Sequence, residues 1–205
     1  MDGRHSGLHF RHRRLARVWA KILAEAGVPR PKLEPGGLPG LDVNRRGDLL
    51  GHDFPVEGAH TVLDFVVSSN VGSNGLLRGP ADMPPGFVAE RAADAKKESY
   101  ALLQPPFTFV AAAYESYGRP CEDISAFMSR TAIAAATRVL GFDVAESSPA
   151  FIQIRDSFLG RWSKEISVSL QTSNAKMLIH GRAAGLGLIA GSMDFDVGDE
   201  LQEFS

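Results

Sequence analysis

The stretch HTVLDFVVSS, residues 60–69, decides the fold. It is a continuous β-branched and apolar run, the pattern of a strand buried on both faces within a covered sheet. Asp64 sits in its middle and breaks that pattern. An unpaired carboxylate in an apolar sheet interior is very costly. Asp64 must therefore open onto a cleft, pair with a cation such as Arg45, Arg46 or a lysine, or bind a metal.

Working upstream, Asp48-Leu49-Leu50 reads as a short strand joined to the 60–69 run by GHDFPVEGA, a plausible hairpin connection. Before it, PKLEPGGLPGLDVNRRGD is rich in proline and glycine, an extended piece around Lys32–Glu34 followed by a turn. RHRRLARVWAKILAEAG (11–27) places Leu15, Val18, Trp19, Ile22, Leu23 and Ala26 at three- and four-residue steps. That spacing predicts an amphipathic helix, with Gly27 as its stop and Pro29 barring continuation.

Working downstream, residues 69–86 are polar and glycine-rich and read as a loop. FVAERAADAKKESYALL (87–103) predicts a second amphipathic helix, ended by Pro105 and Pro106. FTFVAAAYES (107–116) is another apolar strand, 121–140 a third helix, and 158–184 a last one. The expected order is helix, three short strands, helix, strand, helix: an α/β protein with a mixed sheet flanked by helices. The corresponding segments are a basic N-terminal arm (1–10), a core (11–140), a linker (141–157), a C-terminal helical segment (158–184) and an acidic, disordered tail (185–205).

The charge balance bounds the partners. A net charge of -2 does not advertise a nucleic-acid ligand, but its distribution is uneven. Residues 4–14 carry Arg4, His5, His9, Arg11, His12, Arg13 and Arg14 without an acid, whereas Asp194, Asp196, Asp199, Glu200 and Glu203 crowd the other end. The single Cys121 excludes an internal disulfide and fits a reducing compartment. The charged N-terminus does not read as a signal peptide, and no apolar run approaches the ~20 residues of a bilayer span. The expectation is an intracellular protein with no membrane partner.

Asp48 and Asp64 are the residues most suited to chemistry. On neighbouring strands, two hard oxygen ligands with open positions suit Mg²⁺ or Mn²⁺, which keep waters and a substrate phosphate. Taken alone, Asp48 reads first as a turn residue. Lys96 and Lys97 lie on the following helix, where a lysine could orient water and stabilise transition-state charge, or be a solvated face. Glu115 closes the 107–116 strand, as a supporting acid or an exposed strand end. His5, His9 and His12 have no cysteine nearby, so zinc is not expected. The basic cluster suits phosphate backbone. Cys121 has no nearby histidine in sequence and is a poor nucleophile.

These motifs, in this order, resemble a known family. RHRRLARVWAKILAEAGVPRPKLEP is similar to the opening of the restriction-like endonuclease module of certain non-LTR retrotransposons, with its Arg-His pair, amphipathic helix and Glu-Pro extension. RRGDLL resembles that module's Arg/Lys-Pro-Asp motif and LDFVV the strand of its second acid. KKESY resembles its lysine-to-tyrosine helix, FTFVAAAYESYGRP the strand that follows, and WSKEISVSLQTSNAKMLI a closing helix. The likeness spans roughly residues 11–180.

The resemblance implies a PD-(D/E)xK, restriction-endonuclease-like αβββαβ core. It implies Asp48 and Asp64 as metal ligands, Lys97 as catalytic lysine and Glu115 as a supporting acid. Arg45 or Arg46 would be the motif's basic residue, and Arg11, His12, Arg13 and Arg14 would join them on nucleic acid. Gly47 stands where the family has proline, and Val66 where most such nucleases carry their lysine. The family's zinc knuckle and reverse transcriptase do not precede the helix, so the resemblance implies an isolated C-terminal piece working with a separately encoded reverse transcriptase. The expected activity is Mg²⁺- or Mn²⁺-dependent nicking of DNA, in the nucleus if the chain is retroelement-derived. Two alternatives stay open: an inactive fragment with weak DNA binding, and a metal-dependent nucleotide phosphohydrolase.

Overall fold

The structure is a computed structural model describing residues 4–69 and 82–185, with side chains described in 11–69 and 82–179. The side chains of Arg4, His5 and His9, most of the 69–86 loop and the acidic tail from 186 onward lie outside the described residues.

The first helix, α1 (Arg4–Glu25), takes in part of the segment expected as an arm. Leu15, Trp19, Ile22 and Leu23 are wholly buried along its stripe. It stops as the sequence dictates. Gly27 adopts φ 96°, its N–H donates to the Ala24 carbonyl, and the Val28 N–H donates to Leu23. That pair of bonds is the Schellman arrangement, which needs a residue tolerant of the left-handed region.

Strands β1 (Lys32–Leu33), β2 (Leu49–Gly51) and β3 (His60–Ser68) follow, then α2 (Phe87–Ser99) and β4 (Phe107–Glu115). The four strands form one mixed sheet in the order β1-β2-β3-β4. β1–β2 and β2–β3 pair antiparallel, and β3–β4 pair parallel along their full lengths, from His60–Phe107 to Ser68–Glu115. A parallel pair needs a crossover, and α2 supplies it.

Two more helices follow among the described residues, α3 (Glu122–Leu140) and α4 (Pro149–Gly185). α4 begins at Pro149, so residues 149–157 are helix and not linker. The reason is a start signal: Ser148 Oγ accepts the Phe151 N–H at 3.2 Å, with proline at the first helical position. Among the described residues, no helix is long and apolar enough to cross a membrane.

The buried apolar residues form a large cluster and a small one. Leu63, Phe65 and Val67 of β3 pack with Leu15, Trp19 and Ile22 of α1, Phe127 of α3 and Trp162 of α4. Trp19 donates to the Tyr114 hydroxyl at 2.9 Å, and Trp162 to Glu25 at 2.7 Å, so both buried indoles are satisfied. Val62 belongs instead to a small cluster with Leu38, Leu50 and Tyr100. Asp64, two residues on, shares the Val62 side of the strand.

Candidate active site

Strand register assembles the acids. Leu33 pairs with Leu49, and Leu49 with Leu63. One position further along each strand stand Glu34, Asp48 and Asp64. Backbone bonds hold this row: Glu34 N–H donates to the Asp48 carbonyl and Asp48 N–H to Leu63, both at 3.0 Å. Gly47 lets the preceding loop seat on the sheet, since a Cβ there would come within 2.6 Å of Val62 Cγ1. That close approach explains a glycine where the resembling motif has proline.

Each carboxylate has a distinct partner. Asp48 Oδ2 accepts the Phe65 N–H at 2.6 Å, and Asp64 Oδ2 accepts from Lys96 Nζ at 2.7 Å. Asp64 is only 7% exposed, so this charge-assisted bond is the reason it is tolerated in an apolar strand. The Asp48 carboxyl is pushed up to about 7, first by burial and then by the charge of Asp64 and a hydrogen bond between the two acids. The Phe65 N–H and Lys96 oppose that rise without cancelling it.

Tyr100 braces the same place. Its hydroxyl donates to the Arg46 carbonyl at 2.7 Å, and its ring stacks on Phe109 with centroids 4.1 Å apart. The Arg45 guanidinium carbon lies 5.6 Å from the ring centroid. Burial, then the nearby Asp64 and Asp48, raise the phenol above its ordinary range, so it stays a neutral donor.

Three expected placements are corrected. Lys97 does not face the acids: it pairs with Asp123 at 2.9 Å and Asp94 at 3.5 Å, which raises its pKa. Lys96 takes the place expected of it. Glu115 stands four positions beyond Ala111, the register partner of Asp64, about 13 Å along the strand. It instead accepts the Gly86 N–H at 3.0 Å, bracing the start of α2. Arg11 is not at the surface: it is 8% exposed and donates to the Val67 carbonyl and to Asn174 of α4.

Other basic residues keep outward positions. His12 and Arg14 are half-buried on α1, while Arg13, Arg45 and Arg46 are exposed. A cleft of about 240 Å³ lies in front of Asp48, lined by His12, Arg13, Ala16 and Arg17 of α1 and by Leu33 and Glu34. Asp64 and Lys96 stand behind Asp48 and do not line it.

Sequence reasoning did not single out Arg17 or Glu34, which line the cleft, and expected Lys97 where the structure sets Lys96 beside Asp64. Ala89, Ala93 and Tyr100 are buried, and both Lys96 and Lys97 stand at three- or four-residue steps from Ala93 and Tyr100, so helical spacing alone does not choose between them.

The donor set admits a small hard cation. Asp48 and Asp64 lie near one ammonium, and while burial is the first cause of the raised Asp48, the charge of Asp64, its second cause, is one that a cation would offset. Among the described residues, no three or more His, Cys, Asp or Glu side chains converge as a metal cluster. A cation held here would keep open positions for water and substrate. No protein-family model matches the chain, and no curated protein or solved structure matches it at a significant level.

Proposed function

We propose that the chain is a metal-dependent endonuclease that nicks DNA, built on a restriction-endonuclease-like αβββαβ core. The observation that carries this reading is Asp48, just before β2, set beside Asp64 of β3, with Lys96 bonded to Asp64 and a cleft in front of Asp48 walled by Arg13 and Arg17. The resemblance in motif order supports it independently.

Asp48 and Asp64 would hold Mg²⁺ or Mn²⁺, which when bound supplies charge to the phosphate and lowers the pKa of a water. The protein's own groups do the positioning. The Phe65 N–H fixes one Asp48 oxygen and so holds the carboxyl beside Asp64. Lys96 bonds Asp64 Oδ2 and sets a positive charge beside the acid pair. Tyr100 anchors the loop that delivers Asp48 through its bond to the Arg46 carbonyl.

The test is conversion of supercoiled plasmid to open circle with Mg²⁺ or Mn²⁺, with Asp64→Ala beside the unmodified protein. Nicking that survives Asp64→Ala overturns the assignment. Hydrolysis of free nucleotides without plasmid nicking would replace it with a phosphohydrolase.

A further inference from the structure

The acid pair does not explain the wall of the cleft. Arg13 and Arg17 lie one turn apart on α1, so they share a face. Four residues of helix set them about 6 Å apart along its axis, a spacing comparable to that of neighbouring phosphates on one strand. Both are exposed and both line the cleft. Lys21 continues the stripe, but it is tied down by Glu165 at 3.1 Å. The cationic stripe is therefore neutralised at its far end and open beside Asp48.

Glu34 bears on the same cleft. Its backbone takes φ 50°, in the left-handed region, at the end of β1. Its carboxylate lies 4.0 Å from Arg13 Nη2, with the two side chains 59% and 63% exposed. A contact this long and this wet holds the arginine weakly. A phosphate, which accepts two parallel bonds from a guanidinium, can displace it.

We propose that Arg13 and Arg17 form a track for two successive phosphates of one DNA strand, with Glu34 an anionic guard that competes for Arg13. The proposal rests on the endonuclease reading and names its substrate class: a polymer backbone running past Asp48, not a free mononucleotide. In this proposal Arg17 binds a phosphate along the strand and takes no part in the chemistry at Asp48.

The test separates binding from cleavage. Affinity for a labelled DNA duplex is measured by fluorescence anisotropy in chelator, across a salt series. Arg17→Ala should weaken binding roughly five- to tenfold and lower the slope of log affinity against log salt by about one unit. Glu34→Gln should tighten binding about two- to fivefold by removing an acid from the track. Arg155→Ala, which alters a surface arginine paired with Asp156 on α4, should change neither quantity. In the plasmid assay Arg17→Ala should raise KM with kcat retained. The proposal is overturned if the protein shows no salt-dependent DNA affinity, if Arg17→Ala keeps the affinity or the slope, or if Glu34→Gln weakens binding. Because chelator removes cleavage from the measurement, an Asp64→Ala protein that still nicks would defeat the endonuclease reading and leave the track standing.

Discussion

The two sides of β3 differ in kind although they share one strand. Leu63, Phe65 and Val67 face a broad core built by three helices, with Trp19, Phe127 and Trp162 wholly buried in it. Val62 and Asp64 face a thin layer where Tyr100 and Lys96 of α2 are the main cover. Burial of large apolar side chains on the first side holds the strand in place. That anchoring lets the second side accept a buried carboxylate pair that, on area alone, would disfavour the fold. A stable face carries an unstable one.

The sharpest way to break this comparison is to remove chemistry from the thin side while leaving the broad side intact. Asp64→Ala should reduce plasmid nicking by roughly 10³-fold or more and keep a cooperative unfolding transition by circular dichroism. Loss of both together would mean that the acid pair holds up the fold instead. The reverse experiment is Phe65→Ala, one residue away but on the broad side. It should cost about 3–5 kcal/mol in denaturant unfolding. A cost below about 1 kcal/mol would show that the three-helix core is not what anchors β3.

Neighbouring lysines sharpen the comparison further, because only one of them belongs to the thin side. Lys96→Met should lower nicking by about 10²-fold, and Lys97→Met should stay within about twofold. The opposite order would place the helix one residue out of register.

The smallest effect expected is on pH dependence. The folded-state carboxyl of Asp48 is raised to about 7 from an ordinary 3.8. A raised acid contributes stability that is fully present below about pH 3.8 and is lost as pH rises through about 7. In chelator, the melting temperature should therefore fall between pH 4 and 8, and Asp48→Asn should flatten that fall. Added Mg²⁺ should raise the melting temperature more at pH 8 than at pH 5, because a divalent cation needs the ionised pair. A flat profile in the unmodified protein would remove the electrostatic basis for the site.

Some elements were legible because their signals are local. The helix stop at Gly27, the strand at 60–68 and the expected element order follow from periodicity, capping and turn chemistry in short windows. α4 starts at Pro149, before the expected residue 158, because Ser148 caps the helix and proline takes its first position. Gly47 looked like a motif defect, yet contact with Val62 gives it a structural reason. Arg11 looked like part of a surface cluster, since nothing in the 4–14 stretch reveals that Val67 and Asn174 take it inside.

The sequence by itself determined that Asp64 is buried in a sheet and must be compensated, because an apolar β-branched run leaves a carboxylate no solvent. Only the tertiary structure decided what compensates it. The antiparallel register brings Asp48 alongside, and the pitch of α2 turns Lys96 inward and Lys97 toward Asp123. Burial can be read from composition along a strand. Which of two adjacent helical side chains meets it depends on a rotation of about 100° per residue, given 3.6 residues per turn, and on where the helix docks.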